Sequence, residues 1–298
     1  RLFALAAVLL WSTVATAFKL SLKQMEPAQL LFWANGVSLV VLGMVLLAQR
    51  RFGLLFRARR AQYLHAAMLG FLNPFLYYTV LFSAYDRLPA QVAQPLNYTW
   101  ALTLSWLSIP LLHQRFRWRD LLAGLVCYAG VLVISTGGKL HGLSYDGLGI
   151  GLALVSTLIW AFYWIFNTRA DLQPVVGLFL GFLFAFPWVA LAAALRGGFL
   201  PQGTGADWSW ILGASYVGIF EMGLTFVLWL AAMKRTDNAS KVANLIFLSP
   251  FLSLVFIGLV LGEIIHASTV LGLFLIVAGL LAQREQRPRE LPPDAAHA

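Results

Sequence analysis

Ten long apolar stretches fill almost the whole of this 298-residue chain, and they constrain its fold more than any other feature. A helix needs about 20 predominantly apolar residues to cross a bilayer, at a rise of about 1.5 Å per residue. Because 60% of the residues are hydrophobic and only 11% are charged, lipid must be the main solvent of the chain. The predicted spans are residues 2–19, 29–48, 61–85, 91–112, 120–137, 147–168, 174–195, 209–233, 239–261 and 267–283.

These spans are predicted to be helices, because each is continuously apolar rather than alternating as the strands of a membrane barrel would be. The predicted fold class is therefore an all-α polytopic membrane protein. The first span ends in Ala15-Thr16-Ala17 and could imitate a cleaved signal peptide, but its counterpart in the second half of the chain favours a retained helix. Residues 285–298 are rich in proline and charge and predict a disordered cytoplasmic tail.

Lysine and arginine are distributed unevenly between the loops, which predicts the orientation of the chain. With a cytoplasmic N-terminus, 16 of the 21 basic residues lie on the inner side and 5 on the outer side, so both termini are expected in the cytoplasm. The net charge of +9 therefore indicates membrane orientation and not a nucleic-acid partner. The five outer residues are Lys19, Lys23, Arg87, Lys139 and Arg196.

The chain contains an internal repeat, since four pairs of similar residues recur at an offset of 147 to 149 positions. Residues 1–139 and 140–284 are thus predicted to be two repeats of five helices each. Five crossings are an odd number, so the second repeat must be inverted relative to the first. Inverted repeats are typical of secondary transporters, whose solute site lies between the halves, although a duplication retained for stability alone would leave the same pattern. The pairs are Trp11 with Trp160, Pro27 with Pro174, Arg87 with Arg235, and Ala129-Gly130 with Ala278-Gly279.

Several motifs in the second repeat resemble the drug/metabolite transporter superfamily, specifically its EamA-type members. The matching residues are Leu248-Ser249-Pro250, Gly262-Glu263, Gly272 and Ala278-Gly279. The first repeat departs from the pattern at three places. Gln114 stands where the glutamate is usual, Ala101 or Leu102 where the proline is usual, and Phe32-Trp33-Ala34-Asn35 where an arginine is usual.

Within that superfamily, the many aromatic residues and the run Asn97-Tyr98-Thr99-Trp100 resemble the aromatic amino-acid exporters of the YddG type. The resemblance implies a bacterial inner-membrane carrier without a bound cofactor, whose partners are a small-molecule solute and membrane lipid. Export of aromatic and other amino acids is the expected function. A sugar, nucleotide-sugar or purine carrier, a membrane-embedded enzyme and a channel are the alternatives. The oligomeric state stays open, and a monomer is compatible with one site between the halves.

Polar residues within the predicted spans are the candidates for solute binding, because such residues usually face the bundle interior or a wet cavity. Gln94, Asn97 and Tyr98 share one face of the fourth span, with Trp100 at its flank. The alternative is that these side chains only form hydrogen bonds to neighbouring helices. The other candidates are Tyr77 and Tyr78 in the third span, Trp160 and Tyr163 in the sixth, and Lys241 and Asn244 in the ninth.

Glu221 is the only acidic residue predicted near the middle of a span. An ionised side chain at that depth is costly, so the carboxyl must be protonated, paired or exposed to a wet cavity. With Thr225 one turn further on, it could bind an amine, relay a proton, or be a structural carboxyl. The five histidines show no metal-ligand spacing, and the chain has no phosphate-binding loop or pair of spanning acids. Neither a metal site nor an enzyme is therefore predicted.

Overall fold

The computed structural model describes residues 2–113, 118–139, 142–201, 208–234 and 245–284, and within these ranges all regular structure is helical. A short 3₁₀ turn, Phe52–Phe56, joins the second and third of the long helices. The long helices are α1 (Leu2–Leu22), α2 (Pro27–Ala48), α3 (Arg60–Arg87), α4 (90–111), α5 (Trp118–Ser135), α6 (Gly147–Asn167), α7 (Pro174–Leu195), α8 (209–234), α9 (Leu245–Leu261) and α10 (Ala267–Arg284).

The predicted all-α polytopic fold is confirmed. In the described part of the chain, seven helices are long and apolar enough to cross a bilayer, namely α1, α2, α3, α5, α6, α7 and α8. Helices α9 and α10 are shorter apolar helices, and α4 is interrupted at Thr99, between Ala90–Tyr98 and Trp100–Leu111. The first six residues of the predicted ninth span, 239–244, which include Lys241 and Asn244, lie outside the described residues.

Contacts between the helices follow a pseudo-two-fold pattern. Helix α1 packs against α8 and α9, and its counterpart α6 packs against α3 and α4. Exchanging α1–α5 with α6–α10 converts the first set of contacts into the second. Helix α2 packs on α7 and α5 packs on α10, so these two contacts map onto themselves. This is the packing expected of two five-helix halves related by an internal two-fold axis; the predicted boundary at 139/140 stays a prediction.

Two long helices are broken at corresponding positions. Helix α3 contains a π-helical turn at Phe71–Leu76, and α8 contains one at Val217–Leu224. Each break carries one buried polar side chain, Asn73 in α3 and Glu221 in α8. These two residues are 148 positions apart, the same offset that relates Arg87 to Arg235. Such π turns widen the helix locally and are frequent at functional sites. Paired breaks of this kind are a mark of the solute site in transporters with inverted repeats.

The ends of the helices form two faces of the molecule, which we name after one arginine each. At the Arg59 end lie the beginnings of α3 and α7 and the end of α6. At the Arg87 end, the guanidinium of Arg87 donates to Asp146 at 3.1 Å, and Asp146 accepts the Leu148 backbone N–H at the start of α6. The Arg87 hydrogen bond holds the pKa of Asp146 below its ordinary value. By the sequence distribution of basic residues, the Arg59 end is the predicted cytoplasmic face.

Candidate functional site

A cavity of about 310 Å³ lies between the two halves of the protein, and we call it the central cavity. Six helices line it: α1, α3 and α4 from the first half, and α6, α8 and α9 from the second. Three polar side chains, Gln94, Asn97 and Glu221, lie among a wall of rings. The aromatic lining residues are Trp11, Phe18, Tyr77, Tyr85, Tyr98, Trp100, Trp160, Trp164, Phe226 and Trp229.

The protein has a second cavity on the side toward the Arg59 end. This cavity of about 430 Å³, the vestibule, lies between α3, α6 and α7 and shares the side chains of Trp164, Phe226 and Trp229 with the central cavity. Charged residues surround its outer part, where Arg59 and Asp171 form a highly exposed ion pair at 2.7 Å. Among the described residues, the vestibule therefore lies between the central cavity and the solvent at this end, with the three shared rings as the wall common to both cavities.

The Arg87 end is closed by hydrogen bonds between the two halves. The Glu263 carboxylate, after α9, accepts the backbone N–H groups of Ala90 and Gln91 at 2.9 and 3.1 Å. In return, the buried Gln91 amide donates to the carbonyl of Ile264 at 2.8 Å and accepts the backbone N–H of His266 at 3.0 Å. We call this reciprocal contact the Gln91–Glu263 clasp. Because α4 begins here, the carboxylate also faces the positive end of a helix dipole.

Trp160 is the centre of the aromatic wall. Its indole stacks on Tyr77 with ring centroids 4.4 Å apart and on Tyr163 with centroids 5.4 Å apart. The ring of Phe226 lies 6.2 Å away, and Trp100 meets the indole edge-on at 6.4 Å. Offset and edge-on contacts of this kind hold large rings in defined positions. The wall thus presents flat apolar surfaces from four helices, α3, α4, α6 and α8, to the cavity.

Asn97 joins three helices while it borders the cavity. Its Oδ1 accepts the hydroxyl of Tyr77 at 3.3 Å, and its Nδ2 donates to Ser156 Oγ at 3.0 Å. The first segment of α4 ends at Tyr98, and the hydroxyl of the next residue, Thr99, donates to the Leu96 carbonyl. Asn97 thus connects neighbouring helices and lines the cavity at the same time, and its contact with a solute stays a prediction.

Glu221 reaches the cavity from the π turn of α8. The side chain is 9% exposed, and its Oε1 accepts the hydroxyl of the fully buried Tyr78 at 3.0 Å. Oε2 has no hydrogen bond of good geometry among the described residues, and the indole N–H of Trp11 lies within reach of the carboxyl as a second donor. Thr225, one turn further on, is not among the described residues that line the central cavity. The Thr225 hydroxyl donates to the carbonyl of Phe220, because the widened π turn leaves that carbonyl available.

The structure places most of the sequence-predicted residues around one space. Tyr77, Gln94, Asn97, Tyr98, Trp100, Trp160 and Glu221 line the central cavity. Tyr78 lies behind the cavity wall and contacts Glu221, while Tyr163 lines the vestibule. No sequence pattern predicted Phe18, Phe226 and Trp229 as lining residues. Trp11 was recognised from the sequence only as the repeat partner of Trp160. Solute contact by any of these residues stays a prediction.

Within the described ranges, no group of three or more histidine, cysteine, aspartate or glutamate side chains is placed to hold a metal ion. The site therefore consists of rings, amides, hydroxyls and a single carboxyl. Such a mixture suits binding of a small amphipathic molecule, with apolar surfaces for its body and a few polar atoms that orient its head.

A multi-pass helical chain with two related halves around a central cavity belongs to the class of membrane transporters. The model of the EamA-like transporter family matches residues 1–136 and again residues 147–282, so one match covers each half. The chain therefore belongs to the EamA-like transporter family.

Individual proteins are also similar to this chain, among them a transporter and a protein of known crystal structure. An uncharacterized transporter of Clostridium kluyveri is 27% identical over 177 residues, covering 57% of this chain and 55% of the relative, so the match spans about half of that protein. A protein of known crystal structure is 24% identical, with a TM-score of 0.64 over 96% of this chain and 98% of its own. The second likeness shows a shared fold. Neither one identifies the solute.

Proposed function

We propose that this protein exports small amphipathic solutes, with aromatic amino acids as the favoured cargo, by alternating access around the central cavity. The observation that carries the proposal is the central cavity itself, which lies at the contact of the two halves and combines an aromatic wall with a few polar side chains. Flat apolar bodies stack on such rings, and a polar head finds hydrogen-bond partners nearby. A cavity of about 310 Å³ suits a molecule of the size of an amino acid.

The direction of transport follows from the predicted orientation together with the family resemblance. The vestibule lies between the central cavity and the Arg59 end, which the distribution of basic residues predicts to be cytoplasmic. In this conformation a solute would enter from inside the cell. Release to the other side requires the Gln91–Glu263 clasp to open while the Arg59 end closes. A bacterial inner membrane with both termini in the cytoplasm is the setting proposed for this cycle.

The test is counterflow of radiolabelled tryptophan and phenylalanine into liposomes that contain the purified full chain. Saturable exchange, with competition between related amino acids, is the result expected. Competition by sugars, nucleotide-sugars or purines in place of amino acids would instead assign another cargo, and unsaturable flux would indicate a channel.

Removing one member of the aromatic wall should abolish most of this exchange. Trp160 contacts rings from α3, α4 and α8, so Trp160→Ala opens a gap where a solute ring is expected to stack. We expect the counterflow rate at subsaturating tryptophan to fall at least tenfold, because one aromatic contact contributes about 1 kcal/mol beyond area burial, and the buried area adds more. Asn97→Ala should reduce it as well.

Trp188→Ala is the matched control, since this indole is half exposed on α7 and packs on Phe71 and Phe75 away from the central cavity. Its exchange should stay within about twofold of the unchanged protein. Normal exchange in both Trp160→Ala and Asn97→Ala, with correct folding, would place the solute elsewhere.

A further inference from the structure

We propose that the central cavity selects solutes by an ammonium group, which binds at Glu221 Oε2 between surrounding aromatic rings. The inference rests on the proposed function in one respect, namely that a solute enters this cavity. It further specifies the chemical group of the solute that the cavity recognises. Amine-bearing compounds, with or without a carboxylate, form the substrate class, and aromatic acids without an amine are disfavoured.

The charge in the cavity points to a cationic group. Glu221 is the only acidic side chain among the described residues that line it, and no lysine, arginine or histidine is among them. Lys19, which lies near the Arg87 end, donates to the backbone carbonyl of Tyr85 and is not part of the lining. A buried carboxylate without a cationic partner is costly, so an ionised Glu221 favours a solute that brings the positive charge.

The hydrogen-bond pattern points to the same group. Tyr78 donates to Glu221 Oε1 and fixes the orientation of the carboxyl, while Oε2 has no hydrogen bond of good geometry. The indole N–H of Trp11 is the other donor near the carboxyl, which leaves acceptor capacity for the N–H groups of a solute. Gln94 Oε1 is a second buried acceptor without a partner, and it lines the same cavity. An ammonium has three donors and no acceptor, so it matches unsatisfied acceptors of this kind. The indole N–H of Trp164, also buried and unpaired, suits the carboxylate or another acceptor at the opposite end of the solute.

The aromatic wall strengthens the preference for a cation. Trp11 lies beside the Glu221 carboxyl, and its ring contacts Phe226 and Trp229 on the same helix as Glu221. The faces of indole and phenyl rings carry partial negative charge and attract ammonium groups. A carboxylate in this place would meet both the ring faces and the Glu221 charge unfavourably. Apolar rings and one acid therefore favour an amine over an acid of the same shape.

Three indole compounds of similar size separate the possibilities. Tryptophan carries an amine and a carboxylate, tryptamine only the amine, and indole-3-propionate only the carboxylate. Binding to the purified full chain is measured by competition with radiolabelled tryptamine, and transport by counterflow in liposomes. We expect tryptamine to bind at least tenfold more tightly than indole-3-propionate. Equal affinities, the reverse order, or no tryptamine binding would overturn the inference.

Substitutions at Glu221 test whether this residue causes the preference for tryptamine over indole-3-propionate. Glu221→Gln should weaken tryptamine at least tenfold and leave indole-3-propionate bound as well as before or more tightly, since the repelling charge is gone. Glu221→Asp should keep the order of the compounds. Asp86→Asn removes an exposed acid at the end of α3 and is the matched control, with unchanged affinities expected. A preference for tryptamine that survives Glu221→Gln would also overturn the assignment.

The two proposals fail in different ways. Tryptamine binding without tryptophan counterflow would remove amino acids as cargo and leave amine selection in place. Tryptophan counterflow that indole-3-propionate inhibits as well as tryptamine does would keep the transport proposal and remove amine selection.

Discussion

Glu263→Gln should open the Arg87 end of the protein to solvent and disturb the transport cycle. The carboxylate accepts two backbone N–H groups at the start of α4, from Ala90 and Gln91, and it links the end of α9 to the other half of the chain. A glutamine has one acceptor oxygen, and its NH₂ group would face the second N–H. We expect a loss of roughly 2 kcal/mol from the closed state, which changes the ratio of closed to open states roughly 30-fold.

A cysteine reporter in the central cavity measures this change. Ala15 is buried in the cavity wall on α1, and Cys127, buried elsewhere, is replaced by alanine so that Ala15→Cys carries the one thiol of the chain. A membrane-impermeant maleimide applied from the Arg87 side should label this cysteine at least tenfold faster when Glu263→Gln is added. Gln91→Leu should act in the same direction, since it removes the bond to the Ile264 carbonyl.

Glu26→Gln is the control for the clasp. Glu26 is an exposed acid at the start of α2, at the same end of the molecule, and its backbone N–H bonds Gln29 within its own half. Labelling in this variant should stay at the background rate. If labelling in Glu263→Gln is equally slow, the clasp does not control access and some other contact closes this end.

The fold was largely predictable because apolar length is a property of the local sequence. Each of the ten predicted spans corresponds to a helix, and described ends differ from the predictions by a few residues at most. The repeat was predictable since Trp11 and Trp160 keep equivalent positions in the two halves. Glu221 could be found for an energetic reason, as an acid in the middle of a span is rare unless it has a function or a partner.

Contacts that depend on tertiary geometry were harder to predict from the sequence. Tyr77 and Tyr78 are adjacent, yet only Tyr77 lines the cavity, because successive side chains of a helix point about 100° apart. In α8, the Thr225 hydroxyl donates to the carbonyl of Phe220, five residues earlier, which the residue spacing alone did not indicate. In the clasp, Glu263 stands in a recognisable motif, but its partners lie 172 and 173 positions earlier in the chain. No local pattern relates residues so distant in sequence.

Gly272→Ala should destabilise the protein, although it adds only one methyl group. Helices α5 and α10 pack closely enough that a Cβ at Gly272 would lie 2.7 Å from the carbonyl oxygen of Gly130, and it would also meet the Ile134 side chain. The backbone oxygen cannot move aside without separating the helices. We expect a cost of about 1–3 kcal/mol, measured as a fall in the Tm of the purified protein of roughly 3–6 °C.

Gly151→Ala distinguishes this crowding from a general effect of alanine in a membrane helix. Gly151 lies on α6, and a Cβ there has no atom within 4 Å, so the substitution should leave the Tm unchanged or raise it slightly. Equal destabilisation by both variants would contradict the close packing of α5 on α10. A loss confined to Gly272→Ala, with counterflow retained below the lowered Tm, would show that this contact holds the halves together without forming part of the solute site.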